Sequence, residues 1–170
     1  MRSQPVRNQP QSPADQVTRL AVAYLARQDR TAHQLAQYLL RKGAAGAAVE
    51  HTVARCRELG YLDDGAFARR WAEARLAKYP VGAARLRDEL LAKGVASAVV
   101  SEVVRALYPR NQERALAEQT VRSAERRQGR VPIRKLAALL GSRGFDEDVI
   151  EAVLEQRMAR SVTAARAGEE

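Results

Sequence analysis

The sequence predicts an all-α protein built as three tandem three-helix repeats, an elongated, curved array whose units bury one another's faces. Three observations point there: a composition dominated by helix formers, an apolar pattern recurring every 50 to 51 residues, and matching helix-start and helix-stop residues in each copy. The chain has 170 residues, of which 32 are Ala and 25 are Arg. Both types favour helix, and β-branched runs are short. Nominally 46% of residues are hydrophobic, but alanine supplies much of that share. Few large apolar side chains remain for one thick core, which favours small units that need their neighbours.

The repeat is anchored on Gly43, Gly94 and Gly144. Eight residues before each stands a leucine (Leu35, Leu86, Leu136), and four before each stands another (Leu39, Leu90, Leu140). One before lies a cation (Lys42, Lys93, Arg143). Six after comes a β-branched residue (Val49, Val100, Ile150), and ten after an aliphatic one (Val53, Val104, Leu154). The i, i+4 pairs put an apolar stripe on each of two helices, and the glycine suits the left-handed residue just past a helix end.

Taken in order, residues 1–15 are rich in Pro, Gln and Ser, and a disordered N-terminal extension is expected. A first helix covers 17–27. Thr31 and Gln34 have capping-box spacing and open the second helix, which ends at Gly43. Val49 and Val53 mark the third, completing a repeat over 16–60. Asp63 or Asp64 caps a helix over 67–78 that carries Phe67, Trp71 and Leu76. The Leu86/Leu90 and Val100/Val104 helices complete the second repeat, 61–109. The third, 110–160, opens with a helix over 113–127. Pro132 suits the first turn of the next helix, where its missing N–H has no helical partner. Asp146 caps the last helix, and residues 161–170 are expected to fray as a flexible tail.

Charged residues make up 29% and the mean hydropathy is −0.41. No apolar run approaches the roughly 20 residues of a spanning helix, so no membrane association is expected. The polar start has no apolar core of a secretory signal. A single Cys excludes an intramolecular disulfide and points to a reducing, cytoplasmic setting. His33 and His51 lie in predicted helices without ligand-spaced partners, and His51 and Cys56, five apart, face different sides of a helix. Asp63 and Asp64 are better explained by the positive end of a helix dipole than as a catalytic pair. No glycine-rich phosphate loop or G-x-S-x-G elbow occurs. A non-enzyme is expected, with no metal or cofactor.

The formal net charge is +9, from 29 Lys+Arg against 20 Asp+Glu. Lys42, Lys93 and Arg143 are accounted for by helix C-termini, where a cation contributes roughly 0.3–1 kcal/mol. The stretch 105–135 is different, with nine cations against three acids. Arg114, Arg122, Arg126, Arg127, Arg130, Arg134 and Lys135 are therefore the candidate contact surface, with Arg85 and Arg87 secondary. Such a cluster suits a phosphate backbone or an acidic protein surface, against the alternative of a solvated helix face. No aromatic residue lies between Arg110 and Lys135, and Tyr24, Tyr38, Phe67, Trp71 and Phe145 sit at core spacings. Contact with nucleic acid is thus expected to be electrostatic, sequence-tolerant and salt-sensitive.

The residues also resemble a known family. Residues 21–26 (AVAYLA), Arg30-Thr31, the leucines 35 and 39, and Arg41-Lys42-Gly43 look like the opening of the RecX regulatory proteins. Residues 58–64 (ELGYLDD), followed by Phe67-Ala68 and Trp71, carry the specific part of the resemblance. It continues through Gly82, Arg85-Leu86, Glu89-Leu90 and Lys93-Gly94-Val95, and spans roughly 17–158. One departure is Ala44-Ala45-Gly46, where a bulkier apolar residue is usual after the glycine; the polar N-terminal extension is another. The resemblance implies a monomeric regulator that binds RecA protein and the RecA–DNA filament, in its groove or at its growing end. It implies negative modulation of filament extension, ATPase and strand exchange in recombination, DNA repair and the SOS response, with weak direct DNA binding as a further expectation. The alternative is a sequence-nonspecific DNA-binding helical protein acting independently of RecA.

Overall fold

The computed structural model describes residues 13–109 and 111–167. Among these residues the chain forms nine helices and no strand: α1 (Pro13–Leu25), α2 (Ala32–Arg41), α3 (Gly46–Glu58), α4 (Asp64–Lys78), α5 (Ala83–Ala92), α6 (Ser97–Leu107), α7 (Gln112–Gln128), α8 (Ile133–Ser142) and α9 (Glu147–Ala167). They follow the expected three-by-three order. The chain separates into two compact units, Met1–Phe67 and Ala68–Glu170. The divide falls inside α4, so most of the second repeat and all of the third share one unit.

The repeat's anchor is a helix stop made three times over. The N–H groups of Gly43, Gly94 and Gly144 donate to the carbonyls of Leu40, Leu91 and Gly141 (2.9, 2.8 and 2.9 Å). The next residue in each copy, Ala44, Val95 or Phe145, donates to the carbonyl of Leu39, Leu90 or Leu140 (3.1, 3.3 and 3.3 Å). These paired bonds are Schellman motifs, and they place each glycine at positive φ (+83°, +78° and +72°). The residue past the glycine then turns inward as a plug. Val95 and Phe145 are buried, whereas Ala44 is half-buried. The alanine at 44, unusual in the sequence, thus fills the same corner with less volume. Behind the corners, Leu35, Leu39, Leu86, Leu90, Leu136 and Leu140 are all 0% exposed.

In the Met1–Phe67 unit, α1 turns Val17 and Ala21 inward, with Leu20 and Tyr24 packed beside them. Thr31 and Gln34 form the expected capping box, with Gln34 N–H donating to Thr31 Oγ1 at 3.1 Å and Thr31 N–H to Gln34 Oε1 at 3.3 Å. The two neighbouring aspartates divide their work. Asp63 Oδ1 accepts from Ala66 N–H (2.8 Å) and caps α4, while Asp64 Oδ1 accepts from Ala32 N–H (2.8 Å) at the start of α2.

The Ala68–Glu170 unit uses the same device. Ala83 N–H, at the start of α5, donates to Glu113 Oε1 in the first turn of α7 (2.9 Å). Gly82 N–H donates to the Arg143 carbonyl (2.9 Å), which brings the start of α5 against the α8–α9 corner. Tyr108 OH donates to the Val81 carbonyl (2.8 Å), and burial pushes its hydroxyl well above the ordinary tyrosine range. Leu116, Val121, Leu136, Leu140, Phe145 and Val153 make the core under α7, α8 and α9.

Several expectations need correction. α1 begins at Pro13, so residues 13–15 belong to a helix; residues 1–12 lie outside the described residues. Pro132 is the N-cap, with extended ψ of 141°, and α8 starts one residue later. α9 continues to Ala167, past the point where a tail is expected; residues 168–170 lie outside the described residues. Tyr24, Tyr38 and Trp71 are half-buried rather than core. Their faces are used: the two tyrosines stack at 4.1 Å, and Lys93 Nζ lies 4.5 Å from the Trp71 ring centre.

Candidate interaction surface

Every cation expected to make contact is exposed: Arg85 and Arg87 on α5, Arg114, Arg122, Arg126 and Arg127 on α7, Arg130 in the following turn, and Arg134 and Lys135 on α8. They do not form one face. At about 100° per residue, Arg122 and Arg126 lie near each other on α7, while Arg127 is turned about a quarter of the circumference away.

Arg114 and Arg122 flank Glu118, at 3.5 and 3.2 Å, and Arg114 also donates to Gln156 Oε1 of α9 (3.2 Å). This row is largely neutralised. It borders a groove of about 260 Å³ between α7 and α9 lined by Glu118, Arg122, Glu125, Arg157 and Arg160. Glu125 is held at 2.7 Å by Arg157, which also donates to the Val131 carbonyl. That pair is only 15% and 31% exposed, so it fastens α9 to α7 rather than offering charge to a partner.

Arg126 donates to the hydroxyl of Ser123, at 3.2 Å, and makes no ion pair among the described residues. Arg130, Arg134 and Lys135 are exposed and make no ion pair among the described residues. The α7–α8 corner is therefore where the predicted positive charge stays available. Arg85 is tied to Glu89 at 2.9 Å, and Arg87 lies within electrostatic reach of Glu113.

Arg127 donates Nε–H to its own helix at the Ser123 carbonyl (3.2 Å) and belongs with residues that sequence reasoning left aside. Arg143 Nη1 donates to the Pro80 carbonyl (3.3 Å) and to Thr120 Oγ1 (3.4 Å). Burial, with the like charges of Arg127 and Arg75, holds its guanidinium below the ordinary arginine range. Arg75 forms a two-point bridge to Glu89 (2.9 and 3.2 Å) and donates to the Tyr79 carbonyl (3.1 Å). Burial alone would raise the Glu89 carboxyl, but hydrogen bonds and charge from Arg75 and Arg85 outweigh it and hold it below the usual glutamate range. The available clue was small: the third repeat has arginine where the first two have Lys42 and Lys93. Both lysines rest near aromatic rings, Lys42 at 5.7 Å from Tyr38, whereas Arg143 spans to backbone and hydroxyl oxygens.

Elsewhere, His33 and His51 are exposed, and Cys56 is buried with its thiol pushed up by desolvation. Among the described residues no helix is long and apolar enough to cross a membrane.

Comparison with known proteins bears on both fold and family. Residues 19–56 match the model of the RecX first three-helix domain, and 63–104 that of the RecX second three-helix domain. The regulatory protein RecX of Mycobacterium leprae is 33% identical over 151 residues, covering 85% of this chain and 87% of that protein. The one from Streptomyces coelicolor is 28% identical over 152 residues, covering 88% and 81%. Among solved structures, RecX from Lactobacillus salivarius superimposes with a TM-score of 0.76 at 16% identity, covering 85% of this chain and 96% of that one. A second RecX structure gives 0.73 at 21% identity, over 84% and 73%. The structural likeness establishes the helical-repeat fold, and the sequence likeness establishes the family: this chain belongs to the RecX regulatory proteins.

Proposed function

We propose that this protein is a modulator of RecA, binding RecA protein and the RecA–DNA filament in the groove or at the growing end. It acts there to limit filament extension, ATP hydrolysis and strand exchange. The observation that supports this most is the RecX likeness over more than four-fifths of the chain. The mechanism needs only binding. Helical repeats present cations at several separated places, so one molecule can touch neighbouring protomers or the DNA they hold, and occupy space that an incoming subunit requires.

The proposed contacts are the exposed cations of α7 and α8, led by Arg126, Arg130, Arg134 and Lys135, whose charge is least compensated. Arg114 and Arg122 contribute less because Glu118 stands between them. The test is the ATPase rate of preformed RecA filaments titrated with this protein. A saturable fall in rate is expected. The alternative, DNA binding independent of RecA, predicts that inhibition vanishes in excess DNA and that RecA without DNA is not bound.

A further inference from the structure

The structure supplies what the sequence lacked beside its basic stretch: an aromatic face. Tyr79, at the C-terminal end of α4, is 54% exposed. Lys78 Nζ lies 5.6 Å and the Arg75 guanidinium 5.9 Å from its ring centre. Its carbonyl holds Arg75, and the carbonyl of its neighbour Pro80 holds Arg143. Around this point Arg75 and Arg85 bind Glu89, while Arg143 feels the like charges of Arg127 and Arg75.

Within that group the charges are unequally satisfied. Arg75 and Arg85 both reach Glu89. Arg143 is half-buried, and the carbonyl and hydroxyl that it donates to are neutral. Arg127 commits Nε to its own helix and makes no ion pair among the described residues. A partly desolvated guanidinium among like charges gains strongly from an oxyanion, and the planar fork matches phosphate at two points.

We propose that Arg127, Arg143 and Tyr79 form a contact for single-stranded nucleic acid, the arginines taking a backbone phosphate and the tyrosine ring stacking on a base. An acidic peptide would use the arginines but leave the exposed ring without purpose. A strand uses both, since every base has a face to stack and every linkage a charge. Duplex DNA keeps its bases paired and engages the cations alone. The contact adds a DNA site to the proposed filament binding, and it is measured without RecA, so either can fail alone.

The experiment is fluorescence anisotropy of the full chain with a fluorescein-labelled oligo-dT and with a duplex of equal length, at one fixed salt concentration. Tyr79→Ala is expected to weaken oligo-dT binding on the order of tenfold while leaving the duplex within about twofold, and Tyr79→Phe to restore it. Arg127→Glu should weaken both ligands more than Arg105→Glu, a reversal of equal charge at an exposed site on α6. Both altered side chains at this site are exposed, and unchanged thermal melts confirm that the variants fold. Oligo-dT binding that survives both Tyr79→Ala and Arg127→Glu overturns the proposal, as does absence of binding by the parent chain. If poly-glutamate binding depends on Arg127 while oligo-dT binding does not, the site serves an acidic protein and the proposal is also overturned.

Discussion

Gly82 and Gly144 meet backbone to backbone: a Cβ added at Gly82 would run into the Gly144 carbonyl. Gly82 itself has an ordinary φ of −77°, so its need for glycine is steric rather than conformational. The contact is secured by the Gly82 N–H bond to the Arg143 carbonyl (2.9 Å). Gly82→Ala should therefore force the α5 start away from the α8–α9 corner, lowering stability by about 3 kcal/mol in urea unfolding. Gly46→Ala is the control, since nothing lies within 4 Å of its added methyl. It should be neutral or stabilise by up to about 1 kcal/mol.

Glu113 accepts from the Ala83 N–H and so joins α7 to α5. Burial raises its carboxyl, as does the charge of Asp146, against the lowering effect of the Ala83 bond. A group whose folded pKa is raised binds its proton first in the folded state. Its contribution to stability therefore grows as pH falls from that raised value toward the ordinary glutamate range. Glu113→Gln removes the charge and keeps an acceptor oxygen, as the protonated carboxyl does, so it should be more stable than the parent near neutrality, with the difference closing as pH falls. Glu113→Ala leaves the Ala83 N–H without its partner and should cost roughly 1–3 kcal/mol. Thermal melts of both variants between neutral and mildly acid pH read the difference.

How much of this was legible in the sequence follows from what is local. The Schellman corners at Gly43, Gly94 and Gly144, the Thr31 capping box and the buried leucine pairs depend on residues within one or two turns, and their spacing revealed them. The split of the basic stretch did not show, because Arg126 and Arg127 are neighbours in sequence but face different surroundings. Arg143 was readable as a helix-end cation and is one. Its second role arises from Pro80, 63 positions away, and Thr120, 23 away, which spacing cannot supply. The roles of Asp64 and Glu113 as caps for an earlier helix were hidden for the same reason.

The separation of the cations predicts unequal effects on the proposed filament binding. Reversing Arg126, Arg134 and Lys135 together to Glu should weaken inhibition of the RecA ATPase by about tenfold or more, since these charges have no compensating carboxylate among the described residues. Replacing Arg114 and Arg122 by Ala should change it much less, because their pairs with Glu118 are exposed and worth about 0–1 kcal/mol each. Equal loss from the two sets would mean that the whole of α7 is in contact. Arg122, Arg126 and Arg127 reversed together to Glu should also weaken inhibition without unfolding the protein.

Glu89 gives the last prediction, and its sign is opposite to that of Glu113. Its folded pKa is depressed by Arg75 and Arg85 despite burial. The stabilisation is present in full above the ordinary glutamate range and is lost as pH falls through the depressed folded value. Glu89→Gln keeps the shape but strands two guanidinium groups, and Arg75, at 23% exposed, cannot simply turn to water. The variant should be less stable than the parent by about 2 kcal/mol at pH 7, with most of the cost assigned to Arg75 because Arg85 is half-exposed. Melting temperatures followed from about pH 5 to pH 2 should fall more steeply for the parent than for the variant, so that the two curves converge in acid. Parallel curves would show that the Arg75–Glu89 bridge contributes shape but no net electrostatic stability.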